Sequence, residues 1–98
     1  MLIKRYSGDG KTCRVTFTLP PHVHAKTAHL YGEFTEWEDS PLSMIQGEDG
    51  SFAIEVALKA GKEYRFRYLL DGKRWENDWA ADDYVPNAFG TQDSVVKV

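Results

Sequence analysis

Three tryptophans, Trp37, Trp75 and Trp79, stand in polar surroundings rather than inside apolar runs. Trp37 closes the stretch YGEFTEW (Tyr31–Trp37) and is flanked by Glu36, Glu38 and Asp39. Trp75 follows DGKR, and Trp79 sits within NDWAADD. The face of an indole carries a negative quadrupole. The flat face of a pyranose ring offers polarised C–H bonds to such a surface and leaves its hydroxyls at the rim for charged or amide neighbours. Tryptophans so placed suit a sugar. The plainer reading is that each indole caps one end of a small core, and Trp79 in particular reads as a loop anchor.

Arg67 alternates out of phase with Phe66 and Tyr68, so it belongs on the face opposite the core. Its planar guanidinium can fork to two hydroxyls or stack on a ring; a solvated arginine paired with a glutamate is the alternative. His22, His24 and His29 fall in one window, and the first two would share a face in extended chain, a spacing open to a metal. They follow a Pro-led loop with no cysteine or close carboxylate to complete a set, so solvated loop histidines are expected and no metal or cofactor is implied. The acids Glu33, Glu36, Glu38, Asp71, Asp78, Asp82 and Asp83 lie mostly at turns, where aspartate serves as a turn former. A glycosidase needs two carboxylates across a cleft, and no nucleophile elbow, phosphate loop or zinc motif occurs. A non-catalytic protein is expected.

The elements that must position these residues are strands. In CRVTFTL (Cys13–Leu19), Val15, Phe17 and Leu19 alternate with Arg14, Thr16 and Thr18. Period two with β-branched and aromatic residues predicts a half-buried strand, which Pro20-Pro21 ends. Further strands are predicted at Ala28–Tyr31, in SFAIEVAL, in EYRFRYLL and in the closing SVVKV. Asp49-Gly50, Ala60-Gly61 and Asp71-Gly72 mark turns between them; Asp-Gly suits a tight hairpin. Short strands with turns at such intervals predict an all-β sandwich. Residues 1–12 are expected to form a loosely held N-terminal arm, and residues 13–98 the sandwich.

At 98 residues the chain is one domain, burying only roughly 60–65% of its unfolded surface. It has room for a thin core and a shallow site. Apolar residues make up 42% and charged ones 28%, which excludes a disordered polymer. Net charge is −3, with no basic stripe to follow a phosphate backbone, so nucleic acid is not an expected partner. No apolar run is long enough for a membrane-spanning helix. The opening MLIKRYSGDGK does not read as a secretory signal, and Cys13 is the only cysteine. A cytoplasmic location is the expectation.

The order G-x-F-x-x-W (Gly32–Trp37), Y-x-F-x-Y-x-x-D-G (Tyr64–Gly72) and F-G-T (Phe89–Thr91) resembles the family 48 carbohydrate-binding modules, or isoamylase N-terminal early-set domains. The glycogen-binding domain of the AMP-activated kinase β subunit is of this group. The likeness runs from Cys13 to Val98. It implies an immunoglobulin-like antiparallel β-sandwich of early-set type that binds α-1,4-glucan, as in glycogen or starch. By that resemblance Trp37 and Trp75 are ring platforms and Arg67 the basic residue of the site. Phe89 stands where a leucine often inserts into the curved glucan, Thr91 matches the threonine, and Asp93 stands where an asparagine is typical. Asp93 accepts hydrogen bonds but cannot donate as an amide does, and one extra residue separates Gly72 from Trp75.

YGEFTEW then reads as follows: Gly32 lets the chain turn, Phe34 returns to the core, and Trp37 is held out as a platform. The expected function is non-catalytic binding of an α-glucan polysaccharide, recruiting the protein or a partner enzyme to the polymer. The alternative is an interaction module that has lost glucan binding and docks on a glycogen- or starch-metabolising enzyme.

Overall fold

Alternation along the chain becomes two facing sheets in the computed structural model, which describes residues 2–37 and 40–98. Met1 and two of the acids that flank Trp37, Glu38 and Asp39, lie outside the described residues. One sheet contains β1 (Leu2–Tyr6), β2 (Thr12–Leu19), β5 (Ile45–Gln46) and β6 (Phe52–Lys59), in the order β1-β2-β6-β5. The other runs β4 (Leu42–Ser43), β3 (Ala28–Gly32), β7 (Glu63–Leu70), β10 (Gln92–Lys97) and β9 (Asp83–Pro86). Strand β8 (Arg74–Glu76) also pairs with β7. All pairings are antiparallel. The protein is an all-β antiparallel sandwich of one domain.

The core lies between the sheets. Val15, Phe17 and Leu19 of β2 meet Phe52 and Leu58 of β6 and Leu30, Phe66, Tyr68 and Leu70 of the facing sheet. Phe17 and Phe66 pack edge to face with centroids 5.0 Å apart. Each large apolar side chain so buried contributes about 1.5–3 kcal/mol, which is what selects this register, since a one-residue slip would turn every such group outward. Among the described residues no helix is long and apolar enough to cross a membrane.

Residues 1–12 do more than the expected arm. Leu2–Tyr6 form the edge strand β1, in register with β2 from Leu2 opposite Phe17 to Tyr6 opposite Cys13. Lys4 reaches Asp82 at 2.6 Å and ties that edge to the other sheet's connections.

Candidate functional site

On β7 the sequence EYRFRYLL buries Phe66, Tyr68 and Leu70 and turns Arg65 and Arg67 to the outer face. Register carries Tyr31 of β3 opposite Arg67, and Trp75 of β8 opposite Leu69. Tyr31 and Trp75 lie on two strands that each pair with β7, and their rings meet in an edge contact with centroids 4.9 Å apart and planes at 70°. The guanidinium carbon of Arg67 lies 5.6 Å from the Trp75 ring centroid, a cation–π contact. Trp75 remains 41% exposed. The extra residue before it is absorbed in the turn, where Asp71 and Gly72 take φ of 55° and 66°, as a tight hairpin demands. Lys73 N then donates to Leu70 O at 3.0 Å.

Trp37 is placed by a different device. Glu33–Thr35 form one 3₁₀ turn, and the buried Thr35 hydroxyl organises it. Thr35 Oγ1 accepts from Gly32 N at 3.0 Å and lies 2.9 Å from Gly32 O and 3.1 Å from Trp37 O, to one of which its proton goes. Glu36 and Trp37 both have left-handed backbone, with φ of 52° and 54°. Two such residues in succession, neither of them glycine, store strain of the kind found at binding sites. Gly32 is not where the chain turns. Its φ is −174°, and glycine is required for space: a Cβ would stand 2.6 Å from Phe34 Cε2 and 2.8 Å from Arg65 O. Phe34 does return to the core, stacked on Phe17 with centroids 5.6 Å apart.

The third wall is the loop between β9 and β10. Asn87 is its hub. Its Oδ1 accepts from Phe89 N (3.0 Å) and Thr91 N (3.2 Å), and its Nδ2 donates to Thr91 Oγ1 (2.8 Å) and Asp93 Oδ1 (3.1 Å). The loop presents Phe89 at 89% exposure, held by its backbone rather than by burial. Asp93 is buried, engaged by Asn87 and 3.8 Å from Arg65 Nη1. It lies behind the surface instead of offering a free acceptor.

All six residues singled out from the sequence, Trp37, Arg67, Trp75, Phe89, Thr91 and Asp93, line one open pocket of about 1070 Å³. Glu33, Glu36, Arg65 and Asn87 complete it. Glu33 is partly committed, because its Oε1 accepts from Arg65 N at 2.7 Å. Arg67 Nε is a buried side-chain nitrogen with no hydrogen bond among the described residues, which costs about 1–3 kcal/mol. The pocket thus pairs indoles and a phenyl ring with a rim of carboxylates, guanidinium groups and an amide. Such a surface offers flat faces for stacking and both donors and acceptors at their edges.

Sequence reasoning missed Asn87, Thr35 and Tyr31, which hold the pocket's walls. Asn87 had a local signal, an Asx-type residue two before Phe89 and four before Thr91. The histidines separate. His22 and His24 are exposed in the loop after β2, whereas His29 is half-buried within β3. No group of three or more potential metal ligands occurs among the described residues. Trp79 is not the expected loop anchor: it is 62% exposed, and the buried Asp78 beside it anchors the loop. No family model matches the chain, and none of the curated proteins does.

Proposed function

We propose that this domain binds α-1,4-glucan of the glycogen or starch type without acting on it, as an early-set module of the carbohydrate-binding kind. One observation carries the reading: the residues that resemble the family's glucan contacts, distant in sequence, surround a single pocket in which Trp75 is backed by Tyr31 and Arg67. Two stacked rings supply roughly 0.5–1.5 kcal/mol each, and a few net hydrogen bonds add about 1 kcal/mol apiece. After ordering costs, affinity falls at roughly 10 μM to 1 mM. Binding of that strength recruits a cytoplasmic protein, or an enzyme it accompanies, to a polymer with many repeated sites.

Titration of the intrinsic tryptophan fluorescence with β-cyclodextrin tests this. A saturable change in the wild type, whose apparent affinity falls in folded Trp37→Ala and Trp75→Ala, supports it. A flat titration together with no retardation by glycogen in a native gel rejects it.

The second reading is an interaction module docked on a glycogen- or starch-metabolising enzyme. The pocket's tryptophans and arginines are the residue types that dominate protein-interface energetics. Stable co-purification with such an enzyme, in a chain that ignores glucan, favours this alternative.

A further inference from the structure

Trp79 is more exposed than Trp75, 62% against 41%, and takes no part in the pocket. A ring of this size gains much by burial, so an indole left in water has to be held there. Its neighbour does the holding. Asp78 is 1% exposed, and its Oδ2 accepts from the Tyr68 hydroxyl at 2.6 Å while Oδ1 accepts from Ala80 N at 2.8 Å. Asp78 N donates to Ser94 Oγ at 2.9 Å, and Asp78 O accepts from the Tyr84 hydroxyl at 2.6 Å. The backbone on either side of Trp79 is therefore fixed, with the carboxylate directed inward and the indole outward.

His22 supports the indole, with ring centroids 4.5 Å apart and planes at 45°. It sits on the 3₁₀ turn Pro21–Val23, which Arg74 Nη2 holds by donating to Val23 O at 2.7 Å. Tyr68 and Ser94, to which Asp78 is tied, are buried at 0% exposure on the core side of their sheet. Arg67 and Asp93 alternate with them toward the pocket, so the two aromatic sites are separate. The ring that meets Trp79 is an exposed, polar imidazole. A protein hot spot is ringed by contacts that exclude water. A sugar needs only one flat face with polar groups at its edge.

We infer that Trp79 and His22 form a second sugar-ring platform, which a long α-glucan engages while the pocket holds another segment of the polymer. The inference rests on the α-glucan reading above. Two linked contacts on one polymer raise its apparent affinity without changing that of either site.

The Trp37→Ala/Trp75→Ala variant keeps Trp79 as its only tryptophan, so its fluorescence reports this platform alone. Titrated with maltoheptaose after circular dichroism confirms folding, it gives a saturable change. In native gels containing glycogen, Trp79→Ala is retarded on the order of 10-fold less effectively than wild type, the loss of one of two linked contacts. A flat titration of the double variant under conditions where wild type titrates overturns the platform and leaves the pocket reading intact. If the double variant does not fold, unchanged retardation of Trp79→Ala overturns it. A wild type that ignores both ligands overturns both readings together.

Discussion

Tyr31 meets the Trp75 indole edge to face at 4.9 Å from the neighbouring outer-face position on β3. The contact orients an indole that Arg67 also meets, 5.6 Å from its ring centroid. Such a pair is worth about 0.5–1.5 kcal/mol. Under the glucan reading, Tyr31→Leu raises the dissociation constant for β-cyclodextrin by roughly 2- to 10-fold, and Tyr31→Phe leaves it unchanged. Fluorescence titration of both variants decides this; equal affinity for Tyr31→Leu and wild type removes Tyr31 from the site's support.

Gly32 has no room for a methyl group. A Cβ there would stand 2.8 Å from the backbone oxygen of Arg65, which cannot swing aside as a side chain does. Gly32→Ala is expected to destabilise the fold by about 1–3 kcal/mol, as overpacking does. Urea denaturation gives the number through the shift in midpoint at constant slope. An unmoved midpoint would mean that β3 and β7 separate locally at little cost.

How much of this was legible in the sequence divides along physical lines. Strands β2, β6 and β7 alternate over eight residues each, and that period announces both the sheet and its buried face. The short strands β4, β5 and β8, of two or three residues, contain no full period to detect. They exist because a longer neighbour offers them a ladder. Strand β1 escapes the pattern because LIKRY gives no clean alternation, its inner positions including Lys4, whose ammonium meets Asp82 from a remote segment.

The site divides in the same way. Arg67 could be placed on the outer face because its phase against Phe66 is local information. Trp79 was misassigned because apolarity suggests burial, whereas its exposure follows from Asp78, whose partners Tyr68, Ser94 and Tyr84 are assembled only by the fold. Gly32 was read as a turn for the same reason: a close approach to Arg65 O is a fact about two strands, not about one segment.

The Tyr68 hydroxyl is the buried end of that Trp79 support. Burial pushes the phenol well above its ordinary pKa, and the neighbouring Asp78 carboxylate raises it further, so it stays a donor across the working pH range. Tyr68→Phe removes the donor from Asp78 Oδ2 in a water-poor setting, which costs about 1–3 kcal/mol. Thermal and urea unfolding measure the loss, and in the Trp37→Ala/Trp75→Ala background an acrylamide quenching rate for Trp79 that Tyr68→Phe leaves unchanged would contradict the view that this bond helps hold the indole in water.

Acid should act on the fold through Asp71 and Asp82. Asp71 accepts from Thr27 N at 3.0 Å and Lys26 N at 2.7 Å. The Thr27 and Lys26 amides lower its pKa against a small opposing effect of burial, with Arg74 and Lys26 adding their charge. For Asp82, burial acts upward, but the Lys4 ammonium and the Lys97 amide outweigh it and leave the carboxyl below its ordinary value. A carboxylate whose pKa is depressed on folding stabilises the native state above its unfolded pKa of about 3.9. That stability is lost as pH falls through the lower, folded value. Urea midpoints should therefore be flat from neutrality to about pH 5 and decline below about pH 4. In Asp71→Asn the amide oxygen can still accept from the two amides while the charge is gone, so its decline should be shallower than that of wild type. An equally steep decline in Asp71→Asn would assign the acid sensitivity to other carboxylates.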